Sequence, residues 1–205
     1  MTSTSTSKRS ALAAAIEARH GSLRGWMRAL TARVGHRFGA LGPFVRVSPA
    51  RVERLVFVCL GNLNRSAFAA AVALQQGVPP AAVLSIGLAA PVGARPPETT
   101  LLVSSEFGID LSAHRAAAFS DYEYRPGDLL LVMETRHARA LLERGAVPES
   151  IALLGHWATP PQWHIEDPQG LSAAYCRNCL QLLRNATVGL IRALNAGGSP
   201  AVRRR

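Results

Sequence analysis

The chain has 205 residues, 48% of them hydrophobic, which is enough for one ordinary domain with something added at an end. Its formal net charge of +10 sits at the two ends: residues 1–54 carry ten Lys and Arg against Glu17 and Glu53, residues 55–202 carry ten Arg against eleven acids, and Arg203, Arg204 and Arg205 follow. The body is therefore not a basic reader of polyanions and no nucleic-acid partner is expected; no apolar run reaches the roughly 18 residues of a membrane-spanning helix; and Cys59, Cys176 and Cys179 are too few for a disulfide framework or a clustered zinc site.

Residues 1–10 are Ser, Thr and basic residues and read as disordered. From Ala11 to about Leu41 the pattern turns helical, with Leu23, Trp26, Met27, Leu30, Val34, Phe38 and Leu41 at three- and four-residue spacing and the arginines mostly elsewhere on the wheel. Gly42-Pro43 and Ser48-Pro49 mark a linker, so residues 1–53 form a basic extension with an amphipathic helix. The first expectation is that this helix packs on the domain. The others are that it meets an acidic membrane surface through residues 11–41, or that it is an Arg- and Ser-rich targeting segment.

The body, residues 54–196, alternates strands and helices. Leu55–Cys59 is an apolar, β-branched run and reads as a buried strand; Asn62–Gly77 is an Ala-rich helix; Val83–Gly87 is a second strand. Glu98–Phe107 is helical, Leu129–Met133 is a third strand, Thr135–Arg144 a helix and Ile151–Leu154 a short fourth strand. A last helix runs from about Leu171 to Leu194, and residues 197–205 form a basic tail. This order predicts an α/β fold: a four-stranded parallel sheet, doubly wound, with helices on both faces. Ligands in such sheets sit at the carboxyl ends of the strands, where the segment after Cys59 falls.

That segment, Cys59-Leu60-Gly61-Asn62-Leu63-Asn64-Arg65-Ser66, leaves a strand, turns tightly and enters a helix. Its backbone N–H groups and those of the helix's first turn can converge on an anion. Gly61 permits the turn. Arg65 offers a planar fork for two phosphoryl oxygens, and the same positive surroundings favour a Cys59 thiolate, which can attack phosphorus. A cysteine five residues before an arginine is a weak signal alone. Between a strand and a helix, with Gly-Asn inside and Arg-Ser at the end, it reads as a phosphate-binding loop carrying a nucleophile.

The loop closely resembles the signature loop of the low-molecular-weight protein tyrosine phosphatases. Ser85-Ile86-Gly87, the segment Gly108-Ile109-Asp110-Leu111-Ser112-Ala113-His114-Arg115-Ala116, and Glu166-Asp167-Pro168 resemble further family segments in the same order. The resemblance implies hydrolysis of phosphotyrosine through a phosphocysteine on Cys59, with Asp167 as general acid and then base, and Arg65 with the loop residues Leu60, Gly61, Asn62, Leu63, Asn64 and Ser66 holding the phosphoryl group. Ser66 would hydrogen-bond the thiolate, and Asn62, Ser85 and His114 would keep the loop in shape. No metal or cofactor is implied. The location would be cytoplasmic, where free thiols persist, or peripheral to a membrane. The family includes bacterial members acting on tyrosine kinases of polysaccharide export, so such a phosphoprotein is the expected partner.

This chain departs from the family pattern at several places. Asn64 stands for a usual second cysteine, Ala67 for a proline, and Gln169 for the aromatic that usually follows Asp-Pro and walls the cleft. Trp157, Trp163 or Phe68 are candidates for that wall. Glu134, where the family often has Asp after Val-Met, reads as local structure, and Cys176 with Cys179 as core packing. Two rival functions share the loop: a thiol-linked arsenate reductase, which needs resolving cysteines that this chain lacks between Cys59 and Cys176, and a low-turnover phosphotyrosine-binding module.

Overall fold

The computed structural model describes residues 13–202; the Ser/Thr-rich start and Arg203 to Arg205 lie outside the described residues. Two helices, α1 over residues 13–20 and α2 (Leu23–Arg37), precede the body. The body runs β1 (Arg54–Cys59), α3 (Arg65–Gln75), β2 (Val83–Gly87), α4 (Glu98–Ser105), β3 (Asp128–Val132), α5 (Thr135–Glu143), β4 (Ile151–Leu153) and α6 (Ala173–Ala196).

The four strands form one parallel sheet in the order β2-β1-β3-β4. β1 is central, buried on both faces, and its side chains alternate between two cores. Leu55, Phe57 and Cys59 join Leu129 and Leu131 beneath α3, α4 and α6. Val56 and Val58 join Leu130, Val132, Ile151 and Leu153 beneath α5 and the chain around Leu41 and Phe44. The sheet is thus covered on both sides, as the alternating element order predicts.

Element ends differ from the sequence reading for local reasons. α3 begins at Arg65 and not at Asn62, because Asn62 takes a left-handed φ of 53° and the loop continues to Asn64. α6 begins at Ala173, where the Ser172 side chain accepts from the Tyr175 N–H as an N-cap. The helix expected over Ala11 to Leu41 is broken at Gly21, which has φ +75°, and restarts under an N-cap from Ser22 to the Gly25 N–H. At the other terminus, Ser199 Oγ and the Ala201 N–H both donate to the Val52 carbonyl, tying the chain end beside the start of β1.

α2 packs on the body, but not through its large apolar residues. Gly25, Ala29 and Ala32 form its buried side. A Cβ on Gly25 would fall 3.2 Å from Glu166 Cγ, so the approach is close. Arg28 pairs with Glu166 at 3.1 Å, and the His36 ring stacks on Trp163 with centroids 4.0 Å apart. Leu23, Met27, Leu30, Val34 and Phe38 are exposed. A small-residue face lets the helix come close to the segment from Trp163 to Glu166, and that contact turns the apolar stripe outward. No helix among the described residues is long and apolar enough to cross a membrane.

Candidate active site

β1 ends at Cys59, and the loop from Leu60 to Asn64 passes over the carboxyl end of the sheet into α3. Cys59 is buried, while Leu60 is exposed at the rim. Two groups address the sulfur: the Ser66 hydroxyl at 3.0 Å and the Asn62 N–H at 3.2 Å. The Asn62 side-chain amide donates to Ser66 Oγ at 2.9 Å, which leaves the serine proton free to donate onward. Cys59 Sγ lies closer to that hydroxyl than the Ile86 carbonyl, which is 3.4 Å away. No side chain caps α3, so its first N–H groups stay available to an anion.

Asn62 is the hub of the loop. The same amide reaches Ser85 Oγ at 3.0 Å, its side-chain oxygen accepts from the Ala117 N–H at 2.8 Å, and its carbonyl lies 2.7 Å from His114 Nε2. A carbonyl only accepts, so Nε2 carries the proton in that contact. The structure thus brings Asn62, Ser66, Ser85 and His114 into one network around the loop. Gly87 explains the rest of the Ser85-Ile86-Gly87 segment: a Cβ there would meet the Leu60 carbonyl at 2.8 Å and the Asn62 nitrogen at 2.9 Å. The loop can cross at this height only over a glycine.

Arg65 is fully buried. Nη1 donates to Glu134 at 2.6 Å and to the Ile165 carbonyl at 2.8 Å, and Nη2 donates to Asp167 at 2.5 Å. Its Nε is buried with no partner among the described residues, a donor left over for a ligand oxygen. Burial works against the charge of Arg65, but Asp167, Cys59 and Glu134 outweigh it and hold the guanidinium protonated.

Glu134 is therefore more than the local structure expected from sequence. It follows β3 at the carboxyl edge of the sheet, where the loop sits, and that position was the signal for it. Burial pushes its carboxyl up, but Arg65, Arg136 and His137 outweigh this and hold it down at about 2. His137, packed behind it, is pushed down to about 3 by burial and by Arg65. Glu134, His164 and Glu166 offer ligand atoms within 4.8 Å of one another. Arg65 and Arg136 already engage Glu134, and Arg28 engages Glu166, so three guanidinium groups match the cluster's negative charge.

Asp167 lies half-buried at the mouth. Besides Arg65, Asn64 Nδ2 and the Gln169 N–H donate to it, at 3.1 and 3.2 Å. Asn64 is fixed in turn, because its side-chain oxygen accepts from Thr100 at 2.7 Å. Thr100 carried no signal in the sequence. None of the aromatic wall candidates lines the mouth: Phe68 is wholly buried against Phe107, Trp157 packs on the core, and Trp163 lies under His36. Cys176 and Cys179 lie on the buried face of α6, and burial pushes both thiols up. Neither is suited to resolve a disulfide at the loop.

A loop carrying a cysteine and an arginine after the first strand of a parallel sheet, with a carboxyl group beside that arginine, is the arrangement of a class of cysteine-dependent phosphatase. Residues 54–199 match the family described as low molecular weight phosphotyrosine protein phosphatase. The chain is 31% identical over 145 residues to the probable low molecular weight protein-tyrosine-phosphatase AmsI of Erwinia amylovora, covering 70% of this chain and 99% of AmsI. It is 34% identical over 147 residues to Wzb of Escherichia coli K12, another low molecular weight protein-tyrosine-phosphatase, covering 70% and 97%. Among solved structures, the YwlE arginine phosphatase of Geobacillus stearothermophilus superposes with a TM-score of 0.62 at 26% identity, covering 70% of this chain and 94% of that one. The chain belongs to the low molecular weight phosphotyrosine protein phosphatase family. It is a cysteine-dependent phosphatase of the protein-tyrosine-phosphatase class.

Proposed function

We propose that Cys59 is the nucleophile, Arg65 the phosphoryl clamp and Asp167 the proton donor and acceptor. The thiolate attacks phosphorus, the bond from phosphorus to the phenolic oxygen breaks, and Asp167 protonates the departing oxygen. Water then attacks the phosphocysteine, gives its proton to Asp167, and releases phosphate and the thiolate. Arg65 Nε and the loop N–H groups hold the equatorial oxygens through both steps. Ser66 stabilises the sulfur as it leaves. Arg65 Nη2 donates to Asp167, which holds the proton donor beside the phosphoryl clamp. The observation that carries this reading is that Cys59 receives the Ser66 hydroxyl and the Asn62 N–H while Arg65 and Asp167 meet beside it.

The physiological substrate in this reading is a tyrosine-phosphorylated protein, specifically a bacterial tyrosine kinase of polysaccharide export, met in the cytoplasm at the periphery of a membrane. The match to AmsI and Wzb supports the substrate class. Residues 54–196 are the phosphatase domain, 1–53 its basic extension and 197–205 its tail. The test is phosphate release from three matched peptides carrying phosphotyrosine, phosphoserine or phosphoarginine. Turnover of the phosphotyrosine peptide at least tenfold above the others is expected. Preference for phosphoarginine would move the chain to the substrate of YwlE and overturn the substrate reading.

A further inference from the structure

The outward side of α2 is an apolar stripe with no partner among the described residues. Leu23, Met27, Leu30, Val34 and Phe38 follow at three- and four-residue steps and share one side of the helix. All are exposed, Phe38 at 81%. The helix cannot roll to bury them, because the opposite side is engaged by Gly25, Ala29 and Ala32, by the Arg28–Glu166 pair and by the His36–Trp163 stack.

The stripe's borders are basic. At 100° per residue, Arg24 falls on one edge and Arg33 and Arg37 on the other. No acidic residue occurs between Glu17 and Glu53. Beside the stripe, Arg19, His20, Trp26 and Arg33 surround a small cavity of about 180 Å³. Its charge comes from the two arginines, since burial and those neighbours keep His20 neutral. The face is an open convex ridge roughly 22 Å long and not a groove. Apolar side chains along the crest, arginine stems able to snorkel at the rim, and a half-exposed Trp26 match an interface that is apolar below and anionic above.

We infer that α2 docks this enzyme on a bilayer containing anionic lipid, lying in the interface plane with Leu23, Met27, Leu30, Val34 and Phe38 in the acyl boundary and the arginines among the headgroup phosphates. The inference rests on the phosphatase reading for what is docked, and on the helix alone for how. Because Arg28 of this helix pairs with Glu166, the neighbour of Asp167, docking ties the enzyme to the membrane through the helix that contacts the Asp167 segment and favours phosphotyrosines on membrane-anchored proteins.

The test is co-sedimentation of the full chain with vesicles of phosphatidylglycerol and phosphatidylcholine, and with phosphatidylcholine alone. Binding at least tenfold tighter to the anionic vesicles, weakened by salt, is expected. Leu30→Glu and Phe38→Ser should each lose that binding while hydrolysing soluble p-nitrophenyl phosphate at the wild-type rate. Equal binding to both vesicles, no binding, or binding that both variants keep would overturn the inference. So would a dimer in sedimentation velocity that Leu30→Glu dissolves, which would give the face to a second copy. A wild type that hydrolyses p-nitrophenyl phosphate but ignores vesicles sinks the docking alone; one that binds vesicles without hydrolysis sinks the phosphatase reading alone.

Discussion

Asn64 donates to Gln169 across 3.1 Å. These are two of the positions at which the chain departs from the family pattern, and they touch. The same Asn64 amide donates to Asp167 and its oxygen accepts from Thr100, so the pair ties the Asp167 segment to α4. Where a cysteine and an aromatic would sit, this chain has a polar clamp on the proposed proton donor. Asn64→Ala should lower kcat about tenfold with little change in KM, the loss of hydrogen bonds worth roughly 1 kcal/mol each that position Asp167. Gln169→Tyr should act differently: it supplies an aromatic wall and lowers KM for aryl phosphates a few-fold. Steady-state kinetics on both variants checks the split, and an unchanged kcat in Asn64→Ala would show that the clamp positions nothing.

The buried Arg65–Glu134 pair predicts a stability effect as well as a kinetic one. Both side chains are essentially inaccessible. Removing Glu134 leaves the buried Arg65 with Asp167 as its remaining carboxylate partner, so Glu134→Ala should cost up to about 3–5 kcal/mol in urea unfolding. Glu134→Asp keeps the charge and should recover part of both stability and rate. Wild-type stability in Glu134→Ala would mean that Asp167 alone compensates Arg65.

Acid should destabilise the fold in two stages. His137 is held down to about 3 from its ordinary 6.5, so between these values the unfolded chain binds a proton that the folded chain refuses. Stability therefore falls as pH drops below 6.5. Glu134 is held at about 2 against an ordinary 4.5, so its contribution is complete above 4.5 and is lost from there down through 2. In the window from 6.5 to 4.5 His137 dominates, with smaller contributions of the same sign from His20 and His156, which burial also pushes down. The slope there should approach about 1.4 kcal/mol per pH unit for His137, and His137→Gln should flatten it. Urea midpoints at a series of pH values measure this directly; an unchanged slope in the variant would contradict it.

The Arg28–Glu166 pair is partly solvated, so Arg28→Ala should cost no more than about 1 kcal/mol of stability. Its readout is kinetic: a kcat lowered a few-fold, with Arg28→Lys restoring part of it, reports that the extension steadies the segment carrying Asp167. Identical kinetics in wild type and Arg28→Ala would make the contact purely structural.

The sheet, its order of elements and the loop were legible because β1 is a continuous apolar run ending in Cys59, and because strand and helix periods alternate cleanly along the body. The network of Asn62, Ser66, Ser85 and His114 was legible only through resemblance, since its members are far apart in sequence and meet through the parallel pairing of β1 with β2. Glu134 was undervalued because an acid at a strand end has many ordinary uses; only the fold shows it against Arg65. The facing of α2 was not legible, because periodicity identifies an apolar face without saying whether the partner wants large side chains. Here close approach selected Gly25, Ala29 and Ala32 instead.

The most direct test is rapid acid quench of the enzyme during p-nitrophenyl phosphate hydrolysis, followed by peptide mass spectrometry. A phosphoryl group on the peptide containing Cys59, building up further when Asp167→Asn slows hydrolysis of the intermediate and absent in an inactive Cys59→Ser, is the predicted result. Turnover that persists in Cys59→Ser, or an intermediate found on another residue, would contradict the account.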